Sequence, residues 1–187
     1  MKSKRKGVVF LLVGCLLLLV AGGWYAYNLA EDASAGRQAQ ELLHKLDAQP
    51  PDTNETGSAP VVVIDGDAFC GKVIIDKLSV ELPVYAEWSY ARLKAAPCRY
   101  TGGVDSDDMI VAAHNYKSHF GSLGTLAIGD EVRFVDGGGR VHRYEVREVT
   151  TLDGTAVSDM RSGGWNFTLF TCTKGGEQRV TVRCVRM

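Results

Sequence analysis

This chain lacks an excess of either charge. Its 21 Lys and Arg stand against 22 Asp and Glu, a net charge of −1, which argues against a polyanion such as nucleic acid as partner of the whole molecule. Metal-ligand spacing is missing too. The five cysteines (Cys15, Cys70, Cys98, Cys172 and Cys184) contain no C-x-x-C pair, and an odd, sparse set is no disulfide framework. A single bridge between two of Cys70, Cys98 and Cys184 stays open at this stage. No internal repeat is visible. Long apolar runs are scarce, with one only, at the N-terminus. What is abundant is glycine, 21 residues set between short apolar runs, and that favours an all-β domain with many turns.

Lys2, Lys4, Arg5 and Lys6 precede an uncharged stretch at 7–30, whose apolar heart is 8–20. Roughly 20 residues at about 1.5 Å each cross a bilayer core. Trp24, Tyr25 and Tyr27 fall where an aromatic belt would meet the far interface, and the first charges beyond are Glu31 and Asp32. This predicts a single-pass anchor in the cell membrane. Its basic tail, 1–6, stays inside and the remainder of the chain lies outside. A cleaved signal peptide at Ala33-Ser34-Ala35 would lie far from the apolar heart, and a lipoprotein signal at Leu12-Val13-Gly14-Cys15 would be followed by more apolar chain. All three readings export the domain.

Ala39, Leu42, Leu43 and Leu46 recur at helical spacing, so 31–48 reads as a stalk helix continuing from the span. The segment 49–60 holds three prolines and no apolar pattern, and reads as a linker. Stalk and linker together occupy 31–60, and the extracellular domain is expected over 61–187. Strands are expected at 61–64, 71–75, 82–85, 109–113, 131–135, 141–151, 167–171 and 179–185, with short helical pieces at 88–96 and within 118–127. Eight strands with helices confined to connections predict a closed or nearly closed β-barrel.

Three residues carry candidate chemistry. Cys172 ends the apolar run Phe167-Thr168-Leu169-Phe170-Thr171 just before a Gly-Gly turn. Taken alone it reads as a buried core thiol, but strand ends are where reactive groups reach solvent. His114 ends Met109-Ile110-Val111-Ala112-Ala113, and Arg179 opens the strand after the turn. If 174–177 is a tight turn, Arg179 returns to the level of Cys172. Arg183, on the same face, is about 13 Å farther along at roughly 3.3 Å per residue. Of the other histidines, His44 belongs to the stalk, His119 to the loop after His114, and His142 to a charged hairpin strand. Thiol, imidazole and guanidinium are a nucleophile, a proton carrier and an oxyanion stabiliser, the parts needed for acyl transfer at a peptide carbonyl.

Thr168-Leu169-Phe170-Thr171-Cys172, the Arg opening Arg179-Val180-Thr181-Val182, and the upstream strand ending His114-Asn115 resemble the sortases, membrane-anchored cysteine transpeptidases of Gram-positive bacteria. Leu82-Pro83-Val84-Tyr85, Tyr100-Thr101-Gly102 and Gly129-Asp130-Glu131-Val132 extend the likeness over nearly all of 70–187. The resemblance implies an eight-stranded sortase-type β-barrel. It implies cleavage of a C-terminal sorting signal of the Leu-Pro-x-Thr-Gly kind through a Cys172 thioester. An amine of the cell-wall precursor, or a pilin lysine, then resolves that thioester. His114 would protonate the leaving amine, Arg179 would steady substrate and oxyanion, and Thr171 would line the substrate groove. Surface proteins or pilins bearing the signal would be the protein partners.

Part of the family is activated by a metal such as calcium, but no acidic cluster here matches such a site, so no cofactor is expected. His-Asn-Tyr-Lys-x-x-Phe is similar to class B sortases, while 150–166 is too short for the helical insert of that class. Pilus-building members carry a C-terminal anchor and an Asp-Pro-aromatic lid; neither pattern is present, which argues against pilin polymerisation. A plain cysteine hydrolase with the same three groups, and a non-catalytic peptide-binding barrel, are the rival functions. Papain-like peptidases place Cys before His, the reverse of the order here, and the Ser-His-Gly-Cys signature of L,D-transpeptidases is absent.

Overall fold

A computed structural model describes residues 2–50 and 60–187, with side chains from Lys6 onward. The middle of the expected linker and the basic side chains of Lys2, Lys4 and Arg5 lie outside the described residues. The chain divides into two compact units, Met1–Ser34 and Ala35–Met187. The described residues of the first are helical and belong to α1 (Lys2–Asp47). Its apolar stretch is unburied, and it is long and apolar enough to cross a membrane.

The second unit is a β-barrel. Its strands are β1 (Val62–Ile64), β2 (Asp67–Ile75), β3 (Val80–Tyr85), β4 (Cys98–Thr101), β5 (Met109–Ala113), β6 (Glu131–Asp136), β7 (Val141–Asp153), β8 (Phe167–Cys172) and β9 (Gln178–Arg186). Neighbours run β2-β3-β4-β5-β8-β9-β7-β6, and β6 pairs back onto β2, so eight strands close the ring and β1 sits outside it on β2. The expected count of eight is met by a different set. Short β4 takes the ring position that the sequence reading gave to β1, because four residues, Cys-Arg-Tyr-Thr, carry no readable period. Closure depends on a bulge in β2 between Phe69 and Gly71. Gly71 has φ 143°, and a Cβ there would meet the Val135 carbonyl oxygen at 2.1 Å, so only glycine lets β6 approach.

The core explains the composition of the strands. β5 is buried along its whole length, the pattern of a strand covered on both faces. Phe167 stacks on Tyr144 at 4.7 Å and meets Phe134 at 5.8 Å in the barrel interior. Helices stay in the connections: α2 (Tyr90–Leu93), capped by the Ser89 hydroxyl accepting from Arg92 N–H, and α3 (Val157–Arg161), which the sequence reading did not anticipate.

The end of α1 departs from a free stalk. Ala35, Ala39, Leu43 and Leu46 form one buried stripe on the barrel unit. Around it, Lys45 pairs with Asp65 at 2.8 Å, and Lys72 bridges Asp47 at 2.7 Å and Glu81 at 2.8 Å. Gly36 lies so close to Ser118 that an added Cβ would sit 3.0 Å from the serine Cβ. The compact unit therefore begins at Ala35, not near residue 61, because the apolar stripe of the helix covers barrel surface. Exposed ion pairs contribute little, and the two leucines carry the packing, about 3 kcal/mol or more together. A chain starting at Ala35 is accordingly expected to be more stable to urea than one starting at Val61; equal midpoints would show the helix to be dispensable.

Candidate active site

Two strand pairings build the site. β5 and β8 run parallel, with Ala113 opposite Thr171, so the next residues, His114 and Cys172, emerge side by side at the same strand ends. β8 and β9 run antiparallel, with Cys172 opposite Arg179. Adjacent strands lie about 4.8 Å apart, so imidazole, thiol and guanidinium start within two strand spacings. All three line one groove of about 220 Å³.

Hydrogen bonds between loops lock this arrangement. The Thr171 hydroxyl donates to the Ala113 carbonyl at 2.9 Å, and Thr171 is 3% exposed. Its side chain therefore ties β8 to β5 beneath the site and is absent from the groove lining, where the resemblance had placed it. One residue beyond, Asn115 Nδ2 donates to the Thr173 carbonyl at 3.2 Å and joins the loop after His114 to the turn after Cys172. Within the loop, Phe120 N–H returns to the His114 carbonyl at 3.2 Å, and the His114 and Tyr116 rings lie 4.9 Å apart. The Arg179 Nη1 donates to Gly176 O at 2.7 Å and Gln178 O at 3.1 Å, which draws the guanidinium over its own turn.

The competing residues lie elsewhere. His119 is fully buried and meets Tyr116 edge-on at 5.4 Å. His142 bonds Asp136 at 2.9 Å and Arg186 at 3.0 Å on the β6–β7 hairpin. Burial works against ionisation of Asp136, but bonds from His142 and Arg140 outweigh it and hold the carboxyl below its usual range. Arg183 pairs in register with Thr168, donates to the Asp159 carbonyl at 2.7 Å and lies over Trp165 at 5.7 Å.

The groove walls escaped the sequence reading. One wall is aromatic: Trp88 meets Tyr90 at 4.6 Å and Tyr100 at 6.2 Å, and Tyr100 meets Phe170 at 5.5 Å. The other comes from the β7–β8 connection, with Ala156, Val157 and Met160. Tyr90 is 75% exposed at the rim. These residues lie on separate segments with no shared motif, so no local pattern announces them. Among the described residues no group of His, Cys, Asp and Glu is placed to hold a metal ion.

A family model for the sortase domain matches residues 73–187. The chain belongs to the sortase family. Sortase C1 from Streptococcus suis is 27% identical, covering 64% of this chain and 73% of its own, with a TM-score of 0.56. Sortase A from Listeria monocytogenes is 24% identical over 65% of this chain and 88% of its own, TM-score 0.56. Sortase C from Streptococcus pneumoniae is 21% identical over 84% and 89%, TM-score 0.57, a likeness of fold. No curated protein matches the chain in sequence. The protein is thus a sortase enzyme with the sortase barrel.

The remaining cysteines of this sortase are free, and the sequence-level bridge is not made. Burial pushes the Cys70 thiol up to about 12, Cys98 to about 11 and Cys184 to about 12. Each unit of upward shift lowers the thiolate fraction tenfold near neutral pH, and the thiolate is the reactive form. Cys172, by contrast, is only partly buried. Iodoacetamide near neutral pH should therefore modify the unit Ala35–Met187 once, at Cys172, with the other three labelled only on unfolding. Native labelling of Cys184 or Cys70 at a comparable rate would contradict this account.

Proposed function

We propose that this sortase is a cysteine transpeptidase acting on a C-terminal sorting signal, with Cys172 as nucleophile, His114 as proton carrier and Arg179 as oxyanion and substrate stabiliser. The observation that carries the reading is the convergence of these three side chains on one groove through strand register. The Cys172 sulfur, as thiolate, attacks the scissile carbonyl and forms a C–S bond, and the negative charge moves to the carbonyl oxygen beside the guanidinium. Collapse breaks the C–N bond, the leaving amine takes a proton from imidazolium His114, and a thioester remains. An incoming amine gives its proton back to His114, forms a new amide and releases the thiolate.

The Arg179 guanidinium, one strand away, carries a permanent positive charge that can face the negative charge developing on the carbonyl oxygen. Thr171 serves as the tie that keeps nucleophile and proton carrier in step.

The apolar helix 7–30 anchors the enzyme in the cell membrane with the Lys2–Lys6 side inside and the barrel outside, where sorting signals and an amine of the cell-wall precursor meet it. Substrates are surface proteins bearing such a signal.

Intact mass spectrometry of Ala35–Met187 with a panel of sorting-signal peptides tests this reading. A thioester adduct is expected on the native chain and none on Cys172→Ala, while His114→Ala should slow adduct formation by about a hundredfold or more. Added oligoglycine should convert the adduct to an amide product; release of free acid alone would identify a hydrolase. An adduct that survives Cys172→Ala would refute the assignment.

A further inference from the structure

The strand order β5-β8-β9-β7 sets four groups in a row across the sheet: His114, Cys172, Arg179 and Asp153. Arg179 lies opposite Leu152 and Gln178 opposite Asp153, so Asp153 stands two strands from Cys172 on the side away from His114. Asp153 lines the groove, and among the described residues it is the one carboxylate that does so. Its Oδ1 is taken by the Thr155 N–H at 2.8 Å and by the Thr155 hydroxyl. Among the described residues no cation stands within salt-bridge distance of it, since Arg179 is turned to the carbonyls of Gly176 and Gln178. The Thr155 bonds hold this carboxyl below its usual range, with a smaller contribution from the nearby Arg179 charge, so it is ionised near neutral pH.

This row gives the groove a direction. Resting on the transpeptidase reading above, His114 must face the leaving nitrogen, which puts the leaving part of the substrate on the β5 side. The acyl part then extends past Arg179 toward Asp153. Two strand spacings are about 10 Å, and an extended peptide advances about 3.3 Å per residue. A lysine stem shortens the backbone reach that is needed.

We infer that Asp153 is a specificity determinant that selects a basic side chain, and rejects an acidic one, at the second residue before the bond that is cleaved, the variable position of a Leu-Pro-x-Thr-Gly signal. An exposed charge pair in this setting changes affinity by up to about fivefold, and repulsion acts by a similar factor in the other direction. The preference should appear in KM rather than kcat and should fade as ionic strength rises.

The test uses the full chain in detergent and sorting-signal peptides carrying Lys, Gln or Glu at that position. The rate of thioester formation is read by mass spectrometry. For the native enzyme the Lys-to-Glu ratio of kcat/KM should be roughly five- to tenfold there. In Asp153→Asn, whose amide oxygen can still accept from Thr155, the ratio should fall toward one. Taking the ratio within each variant removes any general loss of activity. A native ratio at or below one, or a ratio unchanged in Asp153→Asn, overturns this inference while leaving the transpeptidase reading intact. Failure of every peptide to form an adduct overturns both.

Discussion

The parallel pairing of β5 with β8 is the constraint on which the rest of the site depends. Parallel neighbours cannot be joined by a hairpin, and here the chain makes β6 and β7 before it returns as β8. That detour is what brings a histidine and a cysteine far apart in sequence to the same strand ends. A slip of one residue would turn Cys172 from the groove to the barrel interior and take Thr171 out of it. The register is held by the Thr171 hydroxyl on the Ala113 carbonyl. A buried bond of this kind contributes about 1 kcal/mol net, and leaving its carbonyl unpaired costs about 1–3 kcal/mol. It is therefore a steep guard against misregister for one side chain.

Around this pair, the barrel and the loops act as a frame. Gly71 lets β6 close on β2, which makes the eight-stranded ring continuous, with the short β1 as an edge strand outside it. Asn115 and the turn carbonyls that hold Arg179 fix the three strand ends against one another. The last turns of α1 pack on the same unit, and Gly36 meets Ser118 in the loop that follows His114. The segment that follows the long apolar stretch of α1 is thus continuous in packing with a loop of the site.

Much of this was legible in the sequence for a definite reason. Strands β5 and β8 are short, largely apolar runs followed at once by a polar group, and β9 opens on one, so each strand and its exposed end can be read locally. The closed barrel followed from strand number and glycine-rich turns. Other features were illegible because they are made by distant residues. Four-residue β4 has too little pattern to register. The aromatic wall of Trp88, Tyr90, Tyr100 and Phe170 comes from separate segments. Thr171 shows the limit most clearly: next to Cys172 in sequence, it faces the opposite side because strand side chains alternate. Leu43 and Leu46 showed their helical stripe, but nothing local shows that a barrel covers it.

The adjacency of His114 and Cys172 can be measured without any substrate. Residues side by side on neighbouring strands have Cα separations within the range a disulfide spans. In a His114→Cys variant of Ala35–Met187, mild oxidation should link the new thiol to Cys172, with the loss of two hydrogens by intact mass and both sites closed to alkylation until reduced. If both thiols stay free and alkylatable under conditions that oxidise model dithiols, the two strand ends do not meet, and the account of the site falls with them.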